Sequence, residues 1–146
     1  MRVAEVMSRN VQLASPDDSL QDVAKRMVSD DVGFMPVGDG DRLVGTITDR
    51  DIVARGVAQG RDSKKTKVRE VMSNELRYCF DDEDVDHVVQ NLGALQLRRL
   101  PVVNREKRLV GIVSLADAAR KVDPAGAGAG LSEIASPGGQ HSQSRH

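Results

Sequence analysis

The chain has 146 residues, 21 Lys+Arg against 22 Asp+Glu, a formal net charge of −1, 2% aromatic residues and one cysteine. That balance excludes the basic face of a nucleic-acid binder, the aromatic platforms that grip single strands, and any internal disulfide. No run approaches the roughly 18 apolar residues of a membrane span, and Met1–Glu5 leads into polar sequence without a signal-peptide core, so the expectation is a cytoplasmic protein without a membrane partner.

Taken in chain order, Val11-Gln12-Leu13 is a short extended piece. Ser15-Pro16-Asp17-Asp18 carries capping oxygens and a helix-compatible proline, a start signal. Leu20, Val23, Ala24, Met27 and Val28 then form one apolar helical stripe, and Gly33 is the candidate left-handed terminator. Phe34-Met35-Pro36-Val37 reads as a strand start or edge because of its proline. Gly38-Asp39-Gly40-Asp41 is hairpin-turn chemistry. Arg42 to Thr48 reads as a buried strand, and Asp49 to about Gln59 as a helix with Ile52, Val53 and Val57 inward. The order is β-α-β-β-α.

Gly60 to Lys67 is charged and apolar-free, hence a linker. The same order then returns: a strand over Leu76 to Phe80, a helix stripe of Val85, Val88, Val89, Leu92 and Leu95, and a strand over Leu100 to Val103. A turn at Asn104 to Lys107, a strand over Arg108 to Ser114 and a helix from Leu115 to about Val122 complete it. Gly93 inside the long helix costs about 1 kcal/mol relative to Ala and marks close packing or an early end. From Pro124 the composition cannot bury enough apolar area to offset ordering entropy, which predicts a flexible segment with solvated His141 and His146. The division is 1–60 for the first unit, 61–67 for the linker, 68–122 for the second unit and 123–146 for the tail. Cys79 between Tyr78 and Phe80 reads as a buried, inert thiol, His87 as the edge of the long helix's stripe, and Phe34 as core.

The two halves are copies. Val6-Met7-Ser8 returns as Val71-Met72-Ser73, and Met35-Pro36-Val37 as Leu100-Pro101-Val102, both 65 positions on (7 to 72; 36 to 101). Leu43 to Thr48 returns as Leu109 to Ser114, 66 positions on (43 to 109). Such a duplication predicts two similar halves about a pseudo-two-fold axis, with any site between them present twice.

Each copy ends a strand in a hydroxyl followed three residues later by an aspartate: Thr48 and Asp51, then Ser114 and Asp117. First-turn N–H groups favour a phosphate. The hydroxyl can donate to a phosphate or sugar oxygen, and an acceptor-only carboxylate suits the adjacent hydroxyls of a ribose. The same Thr-x-x-Asp spacing is also a capping box that needs no ligand. Both readings stand at this point, with the recurrence favouring a nucleotide.

Val-Met-Ser openers, an apolar residue before Pro-Val, and Gly-x-x-(Thr/Ser)-x-x-Asp at each strand-to-helix junction resemble a tandem pair of CBS (cystathionine β-synthase) domains over about residues 1–122. The resemblance implies a mixed α/β (α+β) fold of two β-α-β-β-α units packed sheet to sheet. It also implies two clefts for AMP, ADP, ATP or S-adenosylmethionine, and a homodimer formed through helices that signals to an effector protein. By position it places Thr48 and Asp51 in one cleft and Ser114 and Asp117 in the other. Met35 and Pro36, and correspondingly Leu100 and Pro101, would flank the purine, although core packing explains these pairs equally. Backbone near Val11–Leu13 and Arg77–Cys79 would read the base edge. Arg50, and at the second site Arg98, Arg99 and Arg120, are phosphate candidates that also suit solvated positions. Asp49 beside Thr48 is a departure that disfavours polyphosphates there and favours a single phosphate or a magnesium ion. No base, nucleophile, metal spacing or Walker-type loop is visible, so catalysis is not expected. The alternative is a structural dimerisation module without bound nucleotide.

Overall fold

The structure, a computed structural model, describes residues 1–94 and 98–121. Leu95, Val122, the side chain of Arg120 and the segment 123–146 with His141 and His146 lie outside the described residues. The chain forms two compact units. One is Gln12–Leu76; the other joins Met1–Val11 to the chain from Arg77 onward. The repeats and the units are therefore out of phase with the sequence division at 60 and 68: each Val-Met-Ser opener belongs with the other repeat.

In the unit Gln12–Leu76, helix α1 spans Leu20–Asp30. Its cap is Ser19, whose Oγ accepts the Asp22 amide at 3.1 Å, while the expected start signal forms the turn before it through the Ser15 amide and Asp18 Oδ2 at 2.8 Å. Leu20, Val23 and Met27 are buried, but Val28 is 83% exposed, so the apolar stripe is narrower than expected. The helix ends at Asp31, not at Gly33. Asp31 takes the left-handed conformation (φ 53°), and the Val32 amide reaches back to the Met27 carbonyl at 3.0 Å, closing a Schellman-type end.

Strands β1 (Phe34–Asp39) and β2 (Arg42–Thr48) form the expected hairpin about Gly40, whose φ of 63° suits glycine. Ala14 bridges Val37 in parallel, but no strand covers Val11–Leu13. A ladder running back from Ala14 would need an N–H from residue 36 to the carbonyl of residue 12, and Pro36 has none. Pro101 stands in the same place in the second repeat. There β3 covers only Cys79–Phe80, not Leu76 to Phe80.

After β2 the helix begins as α2 (Asp49–Asp51), widens into a π turn over Ile52–Gly56 and tightens into a 3-10 turn over Val57–Gln59. The widening moves the apolar face. Ile52 packs on the core, whereas Val53 and Val57, expected inward, are 59% and 66% exposed. Gly56 is buried against Leu20, where a Cβ would sit 2.9 Å from Cδ1. The linker is ordered. Carbonyls of Thr66 and Ser63 accept the Leu20 and Gln21 amides, each at 3.0 Å, satisfying first-turn donors of α1. Ala14, Leu20, Val23, Met27, Met35 and Ile47 lead the core, joined by Val68 and Val71 from beyond the linker.

In the other unit, β3 pairs in parallel with β4 (Arg99–Val103), which pairs antiparallel with β5 (Leu109–Ser114). Helix α3 covers Val85–Ala94 with Gly93 buried inside it, and α4 covers Leu115–Lys121. The β4–β5 turn is closed by Asn104 Oδ1, which accepts the Glu106 and Arg108 amides at 3.0 and 2.9 Å. Val85, Val88, Leu92, Leu100 and Val113 form its core with Val3 and Val6 of the N-terminal segment. Cys79 is buried there as expected.

Candidate functional site

At the first junction, β2 stops at Thr48, whose extended backbone (φ −118°, ψ 163°) turns directly into α2. Thr48 Oγ1 accepts the Asp51 amide at 3.0 Å, and Asp51 Oδ2 accepts the Thr48 amide at 2.9 Å. This is a complete capping box. The Asp49 amide donates to the Gly33 carbonyl at 3.0 Å, and the Arg50 amide to Asp49 Oδ1 at 2.7 Å. The open amide cradle expected for a phosphate is thus not open: each N–H of this turn already has an acceptor. What remains for a ligand is the hydroxyl proton of Thr48, because Oγ1 is committed as acceptor and free to donate, together with the second oxygen of Asp51.

The second junction repeats the key contact. Ser114 Oγ accepts the Asp117 amide at 3.0 Å, and the Leu115 amide donates to the Arg98 carbonyl at 2.9 Å. Both hydroxyl-bearing residues and both aspartates are half-buried.

Strand register separates the Pro-Val pairs. Directly opposed residues share a face. Phe34 lies opposite Thr48 and Pro36 opposite Thr46, so Pro36 shares the face of Thr48. Arg99 lies opposite Ser114 and Pro101 opposite Ile112, giving Pro101 the same place. Met35 and Leu100 are on the opposite faces, opposite Ile47 and Val113, and are 1% and 2% exposed within the cores. All four of these side chains are buried, Met35 and Leu100 within the cores, so register and not burial is what sets Pro36 and Pro101 on the hydroxyl side.

The glycine of each motif serves packing, not an anion. A Cβ on Gly45 would lie 2.5 Å from the Ser73 carbonyl and 3.1 Å from Met72 Sδ, and one on Gly111 2.6 Å from Met7 Sδ and 2.8 Å from the Ser8 carbonyl. Each opener lies across the strand that carries the hydroxyl. That explains why Val-Met-Ser and Gly-x-x-(Thr/Ser) recur together.

Of the cations, the side chains of Arg50 and Arg98 are exposed and Arg99 is half-buried. Two arginines not singled out from the sequence hold backbone within the unit Gln12–Leu76. Arg26 Nη2 donates to the Leu13 carbonyl at 2.6 Å, and Arg55 Nη1 to the carbonyls of Val71 and Met72 at 3.1 and 3.2 Å. Arginine at i+6 in a helical stripe carries no distinguishing signal. At Arg77–Cys79 the thiol is closed to chemistry: burial pushes Cys79 up to about 12, with the Glu83 and Asp81 charges adding to it. Among the described residues no three His, Cys, Asp or Glu side chains gather as a metal set, and no helix is long and apolar enough to cross a membrane.

The CBS domain family model matches residues 3–57 and again 68–123. The chain is similar to CBS domain-containing protein YhcV of Bacillus subtilis, 39% identical over 133 residues, covering 90% of this chain and 94% of that one. It is also similar to Hypoxic response protein 1 of Mycobacterium tuberculosis, 36% identical over 117 residues, covering 80% and 81%. Among solved structures, it resembles the CBS domain pair of protein MJ0100 in complex with 5-methylthioadenosine and S-adenosyl-L-methionine. That likeness has a TM-score of 0.70 at 30% identity over 82% of this chain and 94% of that one. CBSX2 in complex with AMP is similar at a TM-score of 0.71 and 27% identity, covering 82% and 93%.

Proposed function

Because this chain belongs to the CBS domain family and carries two copies of the domain, we propose that it is a non-catalytic regulatory module that binds adenosine ligands. The observation that carries this reading is the twin junction, with a hydroxyl held 3.0 Å from the aspartate amide in both copies. In each, the amide occupies the hydroxyl's acceptor side and leaves its proton for a ligand oxygen. Asp51 and Asp117 take the ribose diol. Pro36 and Pro101, on the hydroxyl faces, border the base, and Arg50 is the cation beside the first junction. Related complexes support the ligand class, since CBSX2 holds AMP and the CBS domain pair of MJ0100 holds 5-methylthioadenosine and S-adenosyl-L-methionine.

Regulation on this reading is a population shift: an adenosine ligand biases two conformations by its differential affinity for them, and an effector protein reads the result. The module works as a homodimer in the cytoplasm. A second reading, a structural dimerisation module, is favoured by one feature: Asp51 folds back on the Thr48 amide and completes its cap without any ligand.

Thermal melts with adenosine, AMP, ATP and S-adenosylmethionine separate the two. A ligand at 100 times its Kd adds about 2.7 kcal/mol of stability and a visible rise in Tm. No rise with any of the four leaves the structural reading.

A further inference from the structure

The chain has one tyrosine, two phenylalanines and no tryptophan, and two of these three rings meet in the unit that carries Ser114. Tyr78 and Phe80 lie edge to face, with centroids 5.7 Å apart and planes at 88°. The Arg105 guanidinium stands 4.0 Å over the Phe80 ring, and Asp82 holds that guanidinium through Nε at 2.8 Å and Nη2 at 2.7 Å. The row is therefore fixed at its Arg105 end, and half-buried Tyr78 is the other end.

Register sets which way that end faces. Cys79 pairs with Val102, and both belong to the core. Tyr78 and Phe80 flank Cys79 and touch each other, so both stand on the opposite face. One step back from the Cys79–Val102 pair, Tyr78 is level with Pro101, which lies opposite Ile112 on the face of Ser114. Phe80, level with Val103, supports Tyr78 from the side away from the junction. Strands β3 and β5 are two strand spacings apart, about 9–10 Å. A base bordered by Pro101, with its sugar at Ser114, is thus presented to the Tyr78 ring.

The first repeat has no such row. Leu13 and Ser15 stand 65 positions before Tyr78 and Phe80, and Leu13 precedes the core residue Ala14 as Tyr78 precedes Cys79. The third ring, Phe34, is level with Thr48 itself, at the sugar and not at the base. Resting on the adenosine-site reading, we propose that Tyr78 stacks on the base at the second junction and makes that junction the tighter of the two for adenosine.

The test is isothermal titration of the full chain with adenosine in two backgrounds: Asp51→Asn, which leaves the second junction, and Asp117→Asn, which leaves the first. The second junction should bind about five- to thirtyfold more tightly, the scale of one base on one aromatic ring. In the Asp51→Asn background, Tyr78→Leu should remove that advantage, and Tyr78→Phe, which keeps a ring, should restore it. Tyr78 is the sole tyrosine in a chain without tryptophan, so its emission reports the contact with position 78 unaltered and serves if Tyr78→Leu fails to fold. Adenosine should quench that emission in the Asp51→Asn background and leave it unchanged in Asp117→Asn. Equal affinities at the two junctions, binding at the second without quenching, or a Tyr78→Leu variant that binds as tightly as Tyr78→Phe overturns the proposal and leaves the adenosine-site reading standing. Adenosine binding in neither background overturns both.

Discussion

Ser8 exchanges both backbone hydrogen bonds with Ile112: its amide donates to the Ile112 carbonyl at 2.8 Å, and its carbonyl accepts from the Ile112 amide at 3.0 Å. Ser73 and Thr46 make the reciprocal pair at 2.8 and 3.0 Å. Each opener therefore adds an edge to the strand that ends, two residues later, in the junction hydroxyl. Blocking that edge also protects the strand from pairing elsewhere. The exchange leaves neither sequence repeat complete without a segment of the other, so the compact units are Gln12–Leu76 and Met1–Val11 with the chain from Arg77 onward, not the repeats themselves.

Replacing the crossing-point glycines should be costly and unequal. Gly45→Ala places Cβ against a carbonyl oxygen, which cannot move without breaking the Thr46–Ser73 pair. Gly111→Ala first meets the flexible end of Met7. Each should destabilise by about 1–3 kcal/mol, Gly45→Ala the more. Adding Met7→Ala should partly rescue Gly111→Ala, and Met72→Ala should not rescue Gly45→Ala. Urea unfolding of the four variants reads this directly.

The same contacts mark what a sequence can and cannot carry. Periodicity located α1 and α3, and turn residues located both hairpins, because each is a local pattern. The opener exchange has no period, and its one trace is that Met-Ser and the junction glycine recur as a set. The π turn was invisible because Val53 and Val57 satisfy a regular helical stripe just as well. Which member of Met35-Pro36 faces the junction could not be read either, since β1 is buried on both faces and shows no alternation. Thr48 and Asp51 were legible as a pair, but cap and ligand site require the same atoms, so the spacing served both.

The caps themselves are separable from the site. Thr48→Ala and Ser114→Ala remove the oxygens that accept the Asp51 and Asp117 amides, and each should cost about 1 kcal/mol without any ligand present. Asp51→Asn keeps an oxygen for the Thr48 amide, so its unliganded Tm should stay near wild type. It should nevertheless lose the first junction's share of the adenosine-induced rise. A full rise in Asp51→Asn would limit Asp51 to capping.

Cys79 gives a pH signature. Its thiol is pushed from an ordinary 9.0 up to about 12 in the folded protein. Below pH 9 both states carry a neutral thiol and the contribution is fully present. Above it the unfolded thiol ionises first, so stability is lost as pH rises toward 12, with a limiting slope of about 1.4 kcal/mol per pH unit. Cys79→Ala should remove that slope while costing core packing at neutral pH. In the native protein, iodoacetamide should label Cys79 no faster than global unfolding allows at pH 8; rapid labelling would contradict its burial.

The proposed homodimer has a specific candidate face. Val28 on α1 and Val53 and Val57 on the turn after α2 are 83%, 59% and 66% exposed, the largest apolar exposures in this unit. Each of these valines stands in water, and covering them in a dimer would recover about 25 cal/mol per Å² of buried apolar surface. Val53→Glu and Val57→Glu each place a charge on that face without touching the core. Both should shift the protein toward monomer in sedimentation equilibrium while leaving the monomer's circular dichroism unchanged. Since linkage makes a dimer's Tm rise with concentration, the wild type should show that dependence and the variants should lose it. A wild type whose Tm and mass do not vary with concentration, and variants that match it, would leave these valines without a partner copy.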